Sequence, residues 1–127
     1  MSLDLSKNGV KYHGINNVDK IEYDIWIHPD TITIDNDKSL YGHRHRFDGP
    51  AYINSHGSQS WWFNNKLHRI GGPAVICSEK DRRIYGPLLL WWINGEEYTF
   101  KEYCEKVKSL IPEDDYFIMI LTYGSEA

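Results

Sequence analysis

The pattern of apolar and polar positions changes period along the chain. Ile21, Tyr23, Ile25 and Ile27 alternate with Glu22, Asp24, Trp26 and His28, the period of a strand with one buried face. Pro29-Asp30 turns the chain, and alternating Ile32 and Ile34 suit a returning strand. Upstream, Leu3 and Leu5 alternate with polar residues before Asn8-Gly9, the pair that a type I′ turn requires. Leu3 to Tyr12 is therefore predicted to be a hairpin. After Tyr98 the period becomes helical. Thr99-Phe-Lys-Glu102 reads as a capping box, and Phe100, Tyr103, Cys104, Val107, Leu110 and Ile111 form an apolar stripe on one helix face. Pro112 stops that helix. Tyr116 to Tyr123 is a continuous apolar run of strand length, predicted to be a buried final strand.

Between these parts one pattern is written twice. His45-Arg46-Phe47-Asp48-Gly49-Pro50-Ala51-Tyr52-Ile53 returns as His68-Arg69-Ile70-Gly71-Gly72-Pro73-Ala74-Val75-Ile76. Each copy is followed by a tryptophan pair and an asparagine turn, Trp61-Trp62-Phe63-Asn64-Asn65 and Trp91-Trp92-Ile93-Asn94-Gly95. Short periods of this kind signal repeats built from one supersecondary unit. Proline has no amide donor, so Gly49-Pro50 and Gly72-Pro73 mark strand entries. Ala51 to Ile53, Ala74 to Ile76, Trp61 to Phe63 and Leu88 to Ile93 then run extended. On a strand the two rings of a Trp-Trp pair face opposite ways, so one of each pair is expected in the core. Arg82 to Leu88 partly echoes the motif, and the residues alone leave open whether 77–90 hold a degenerate third copy.

The expected architecture is mainly β (α+β), in a single domain spanning 1–127. It comprises N-terminal β-hairpins in 1–40, an antiparallel hairpin-repeat sheet in 42–98, and a capping amphipathic helix with a final strand in 99–127. The helix stripe must be covered, so the helix is expected to close one end or face of the sheet.

Composition narrows the chemistry. At 127 residues, with 41% hydrophobic and 25% charged positions, the chain can bury a core of its own. Aromatic residues reach 14%, which favours sheet and supplies contact surface for a partner. A net charge of −4 without any Lys/Arg run argues against binding duplex nucleic acid by counterion release. Cys77 and Cys104 lack C-x-x-C spacing and read as reduced thiols of a cytosolic protein. The N-terminus has no signal-peptide pattern, and no apolar run approaches membrane-spanning length.

His-Arg-x-Asp-Gly-Pro-Ala followed by Trp-x-x-Asn-Gly resembles the repeats of small proteins encoded by bacteriophages and giant viruses, distant variants of MORN-type β-hairpin repeats. The resemblance covers about Gly42 to Val107. Gly71 departs from it where the motif has aspartate, and the first forty residues have no counterpart in it. It implies a hairpin-repeat sheet, a phage or viral origin, an interaction surface and no particular reaction.

The candidate binding residues are His45, Arg46, Asp48, Trp62, His68, Arg69 and Trp92. Arginine forks suit phosphate oxygens, histidines exchange protons near neutral pH and rings stack on bases. His43, Arg44 and His56 extend the cluster. The competing reading is structural: each arginine stacks on a neighbouring tryptophan and bonds turn carbonyls, while Asp48 accepts from turn amides. Repetition favours the structural role, because a catalytic constellation is needed once and a staple in every hairpin. No zinc spacing, phosphate-binding glycine loop or nucleophile elbow occurs, so neither a metal nor a cofactor is expected. The expected function is that of a non-enzymatic accessory protein. It would bind a host protein in the host cytoplasm, inhibiting a host defence system or redirecting a host enzyme. A nucleotide- or phosphate-binding or -hydrolysing protein is the alternative, and a homo-oligomer is compatible with both.

Overall fold

The computed structural model describes residues 3–36, 40–82 and 88–124. β1 (Val10–Ile15) pairs antiparallel with β2 (Glu22–Ile27), from Val10 opposite Ile27 to Ile15 opposite Glu22. A 3-10 turn at Pro29–Thr31 leads to a short ribbon of β3 (Thr33–Ile34) and β4 (Leu40–Tyr41). β5 (Tyr52–Asn54) and β6 (Gln59–Ser60) follow, then a second ribbon of β7 (Trp62–Phe63) and β8 (Lys66–Leu67). β9 (Val75–Cys77), α1 (Glu79–Arg82), β10 (Leu88–Ile93) and β11 (Glu96–Tyr98) precede two helices, α2 (Phe100–Val107) and α3 (Glu113–Tyr123). The main sheet has seven strands in the order β1-β2-β5-β6-β9-β10-β11, each antiparallel to its neighbours. The fold is mainly β, as the alternation predicts.

Both tight turns expected from the asparagines form. Asn64 and Asn65 have φ of 49° and 66°, and Asn94 and Gly95 have 49° and 80°, the left-handed values of type I′ hairpins. The capping box forms too. The Thr99 hydroxyl accepts from the Glu102 amide at 3.2 Å, and the Glu102 carboxylate accepts from the Thr99 amide at 2.9 Å. α2 turns Tyr103, Cys104 and Val107 inward onto Trp91 of β10, with Met119 of α3 completing a buried cluster. The helices thus close the β10–β11 end of the sheet. Leu110 is exposed (61%), because α2 has ended before it.

Four local expectations are corrected. Tyr116 to Tyr123 is helical, not a final strand. The three acidic residues Glu113, Asp114 and Asp115 fill the first turn of α3, where they complement its dipole. Tyr116, Met119, Ile120 and Tyr123 then meet the core at helical spacing, and an apolar run of this length reads the same in either state from sequence. Leu3 to Tyr12 is not a hairpin, since neither Asn8 nor Gly9 takes a positive φ. Asn8 instead accepts from the Phe47 amide at 2.9 Å and donates to Asp48 at 3.2 Å. A Cβ on Gly9 would collide with the carbonyl oxygen of His45. The returning strand after Pro29 does not pair with β2; β3 pairs with β4. In the first tryptophan pair both rings are half-buried, so only Trp91 of the second pair is a core residue (3% exposed). Of the motif-like echo from Arg82 to Leu88, residues 83–87 lie outside the described residues.

Candidate functional site

Each His-Arg segment lies between two tryptophan strands. The His45 amide donates to the Trp26 carbonyl at 3.0 Å and the Arg46 amide to the Trp62 carbonyl at 3.1 Å. In the next copy the His68 amide donates to Trp61 at 3.0 Å and the Arg69 amide to Trp92 at 3.2 Å. The side chains repeat the same geometry. The Arg46 guanidinium carbon stands 3.9 Å from the Trp26 ring centroid, and that of Arg69 stands 3.8 Å from Trp61. Arg46 donates to the Pro50 carbonyl at 3.0 Å and Arg69 to the Pro73 carbonyl at 3.1 Å. Trp26 thus occupies in β2 the place that Trp61 occupies after β6, so the array begins within the N-terminal sheet.

The histidines repeat as well. Nδ1 of His45 accepts from the Asn64 amide at 2.9 Å, and Nδ1 of His68 from the Asn94 amide at 3.0 Å. A ring accepting at Nδ1 carries its proton on Nε2, which in His45 donates to the Lys7 carbonyl at 3.0 Å. Burial pushes both rings below the ordinary histidine value, so both are neutral fasteners of a turn near pH 7. Buried His28, its ring centroid 5.0 Å from that of His45, binds in the same way. Its Nδ1 accepts from Asp30 and its Nε2 donates to the Asp4 carbonyl at 2.7 Å.

A cavity of about 590 Å³ lies between the two motif loops, lined by Arg46, Asp48, Trp61, His68 and Arg69 among others. It unites four of the seven residues singled out by sequence. His45 is fully buried beneath it, while Trp62 and Trp92 point elsewhere. The Trp62 indole donates to Ser60 at 2.8 Å and lies under Arg44. The Trp92 indole nitrogen is buried with no partner among the described residues. Asp48 is held below its ordinary value by bonds from Asn8 and Arg46. The guanidiniums are committed to rings and carbonyls, so the cavity offers shape more than free charge.

Sequence reading missed a second polar cluster. Asp81 of α1 accepts from Asn54 at 2.9 Å, from His56 at 2.7 Å and from the Ser58 hydroxyl. Burial works to raise its carboxyl, but the bonds from Ser58, Asn54 and His56 outweigh it and hold the group low. Serine and histidine both contact the aspartate directly. The order is therefore not that of a nucleophile relay, in which histidine stands between them. The cluster fastens the β5–β6 turn to α1. His56 and Ser58 are visible in the sequence, but their partner stands far along the chain in a segment with no motif of its own.

Among the described residues, no group of three His, Cys, Asp or Glu side chains is placed to hold a metal ion. No described helix is long and apolar enough to cross a membrane. Cys77 and Cys104 are both free thiols, and burial pushes Cys104 up, away from thiolate chemistry. No family model matches the chain, and no curated protein or solved structure matches it.

Proposed function

We propose that this chain is a non-enzymatic binding protein of the MORN-like repeat kind. It would come from a phage or virus and act in the host cytoplasm by occupying a host protein. The observation that carries this reading is the outer face of α3. Phe117, Ile118 and Leu121 are 53%, 60% and 83% exposed on a helix whose opposite side is anchored in the core by Met119. Leu110, also exposed, stands just before the helix, and Ile111 and Tyr116 line a recess beside Phe117. Contiguous apolar surface on a rigid element is the usual mark of a protein contact. Glu113, Asp114 and Asp115 border it, so a partner with a basic rim around an apolar centre fits best. The repeat-loop arginines support a phosphate ligand less well, because stacking and carbonyl bonds already occupy them.

The test compares capture from host-cell lysate by the parent chain and by Leu121→Lys, with light scattering to record self-association. A stoichiometric partner held by the parent and lost by a normally folded variant supports the reading. Retention by Leu121→Lys, or self-association that disappears in the variant with no other partner bound, overturns it.

A further inference from the structure

We propose that the groove across β1, β2 and β5 binds a small anion carrying a flat ring, in the simplest case a mononucleotide. Arg44 would hold the anionic group, with Tyr23 and Tyr52 holding the ring.

Strand register builds the site. Tyr12, Ile25 and Tyr52 stand opposite one another across the three strands, as do Gly14, Tyr23 and Asn54, and residues so paired share one sheet face. Any Cβ on Gly14 would collide with the Tyr23 ring, so the glycine lets that ring lie against the neighbouring strand. Tyr23 and Tyr52 stack, with centroids 5.9 Å apart and planes at 24°. The groove they line measures about 980 Å³, at the upper end of the roughly 300–1,000 Å³ typical of small-molecule sites.

The two ends of the groove differ in chemistry. At one end Arg44 bridges to Ile27 of β2. Its guanidinium carbon stands 4.9 Å from the Trp62 ring and 5.6 Å from the Tyr52 ring. Among the described residues it forms no ion pair, whereas Arg46 is bound to Asp48. A cation pinned between two rings, with no carboxylate paired to it among the described residues, is set to receive a phosphate or carboxylate from outside. At the other end stand Asn16, Asn17 and Asp19, groups suited to the polar edge of a base or to sugar hydroxyls, while Asn54 and Asp81, also in the lining, are already bonded to each other. The polarity fits one small ligand lying lengthwise. A nucleic-acid strand running through would carry its phosphates past Asp19 and Asp81, and the chain's net charge of −4 gives such a strand no attraction.

The test is a titration of the full chain, followed by amide chemical shifts and calorimetry. The probes are the four nucleoside monophosphates, adenosine, inorganic phosphate and 4-hydroxybenzoate. We expect at least one ring-bearing anion to shift Tyr23, Tyr52 and Arg44, with nucleoside or phosphate alone bound about tenfold more weakly or worse. Saturable binding of 4-hydroxybenzoate but no nucleotide would support the site and name an aromatic carboxylate as its source. Arg44→Gln should weaken binding at least about tenfold, and Arg44→Lys, which keeps the charge but loses the fork, by less. Tyr23→Leu serves as the second variant should Arg44→Gln fail to fold, and is expected to weaken every ring-bearing ligand. Absence of saturable shifts with any probe at millimolar concentration, or unaltered affinity in a folded Arg44→Gln, overturns the proposal. None of these variants touches α3, so the outcome is independent of the partner-binding test.

Discussion

Tyr103 donates its hydroxyl proton to the carbonyl of Arg69 at 2.7 Å and accepts from the amides of Gly71 and Gly72 at 2.8 and 3.2 Å. One donor and two acceptor positions exhaust what a phenol offers. The capping helix is thereby riveted to the second motif loop, where Gly71 with φ of +99° stands in place of the motif's aspartate. Tyr103→Phe keeps the ring against Trp91 and strips three backbone groups of their partner. Unfolding in urea should show a loss of about 1–3 kcal/mol, the cost of leaving buried polar groups unpaired. A loss no larger than that of an exposed Tyr→Phe control would mean that water replaces the hydroxyl.

Arg69→Ala removes both the stack on Trp61 and the bond to the Pro73 carbonyl. The expected loss is roughly 1–3 kcal/mol. Arg69→Lys should recover only part of it, because an ammonium neither lies flat on an indole nor forks. A parent-like urea midpoint in Arg69→Ala would show that the staple contributes nothing to stability.

The two faces of the C-terminal helices are expected to respond oppositely to charge. Val107 is fully buried against Trp91 and Tyr103, so Val107→Asp places an unpaired carboxylate in the core and should leave the chain molten or insoluble. Leu121→Lys should melt within about 0.5 kcal/mol of the parent, as exposed substitutions generally do. Circular dichroism on both variants checks the contrast, and a normally folded Val107→Asp would break it.

Stability should depend on pH through the fastening histidines. Burial lowers His45 and His68, with the bond to Lys7 working the other way at His45. The unfolded chain therefore takes up protons first, and their contribution is lost as pH falls below about 6.5 toward the folded values. His13 has the opposite sign, because Asp24 and Glu22 raise it. Its contribution is present below about 6.5 and lost as pH rises through its raised value. Urea midpoints measured from about pH 8 to pH 5 should fall toward acid, more steeply in His13→Gln and less in His68→Gln. A midpoint in His13→Gln that rises toward acid would contradict this assignment.

At Gly9 a methyl group would meet the His45 carbonyl oxygen, part of the backbone that sets the first motif in place. Gly9→Ala should destabilise by about 1–3 kcal/mol through overpacking, whereas Gly57→Ala, whose sole neighbour among the described residues is Ser78 at 3.9 Å, should suffer chiefly the strain of its φ of +95°. Thermal melts of the two variants compare a steric effect with a torsional one.

By itself the sequence determined what is local and periodic. Alternation placed β2, the asparagine pairs placed the two type I′ turns, and Thr99 with Glu102 placed the start of α2, because each of these signals is complete within a few residues. Repetition also pointed to equivalent surroundings for Arg46 and Arg69, since two copies in equivalent hairpins meet equivalent neighbours. Tertiary structure decided whatever depends on a distant partner. Tyr116 to Tyr123 became a helix because the cluster around Trp91 presents a surface that helical spacing fills. Asn8-Gly9 gave up its turn because Asp48 and the backbone of His45 and Phe47 claimed it. Arg44 looks like any other member of the cationic cluster until the β2–β5 register sets it between Tyr52 and Trp62. Asp81 carries no motif at all, and its three bonds arise only when the chain returns across the sheet to bring it beside Asn54, His56 and Ser58.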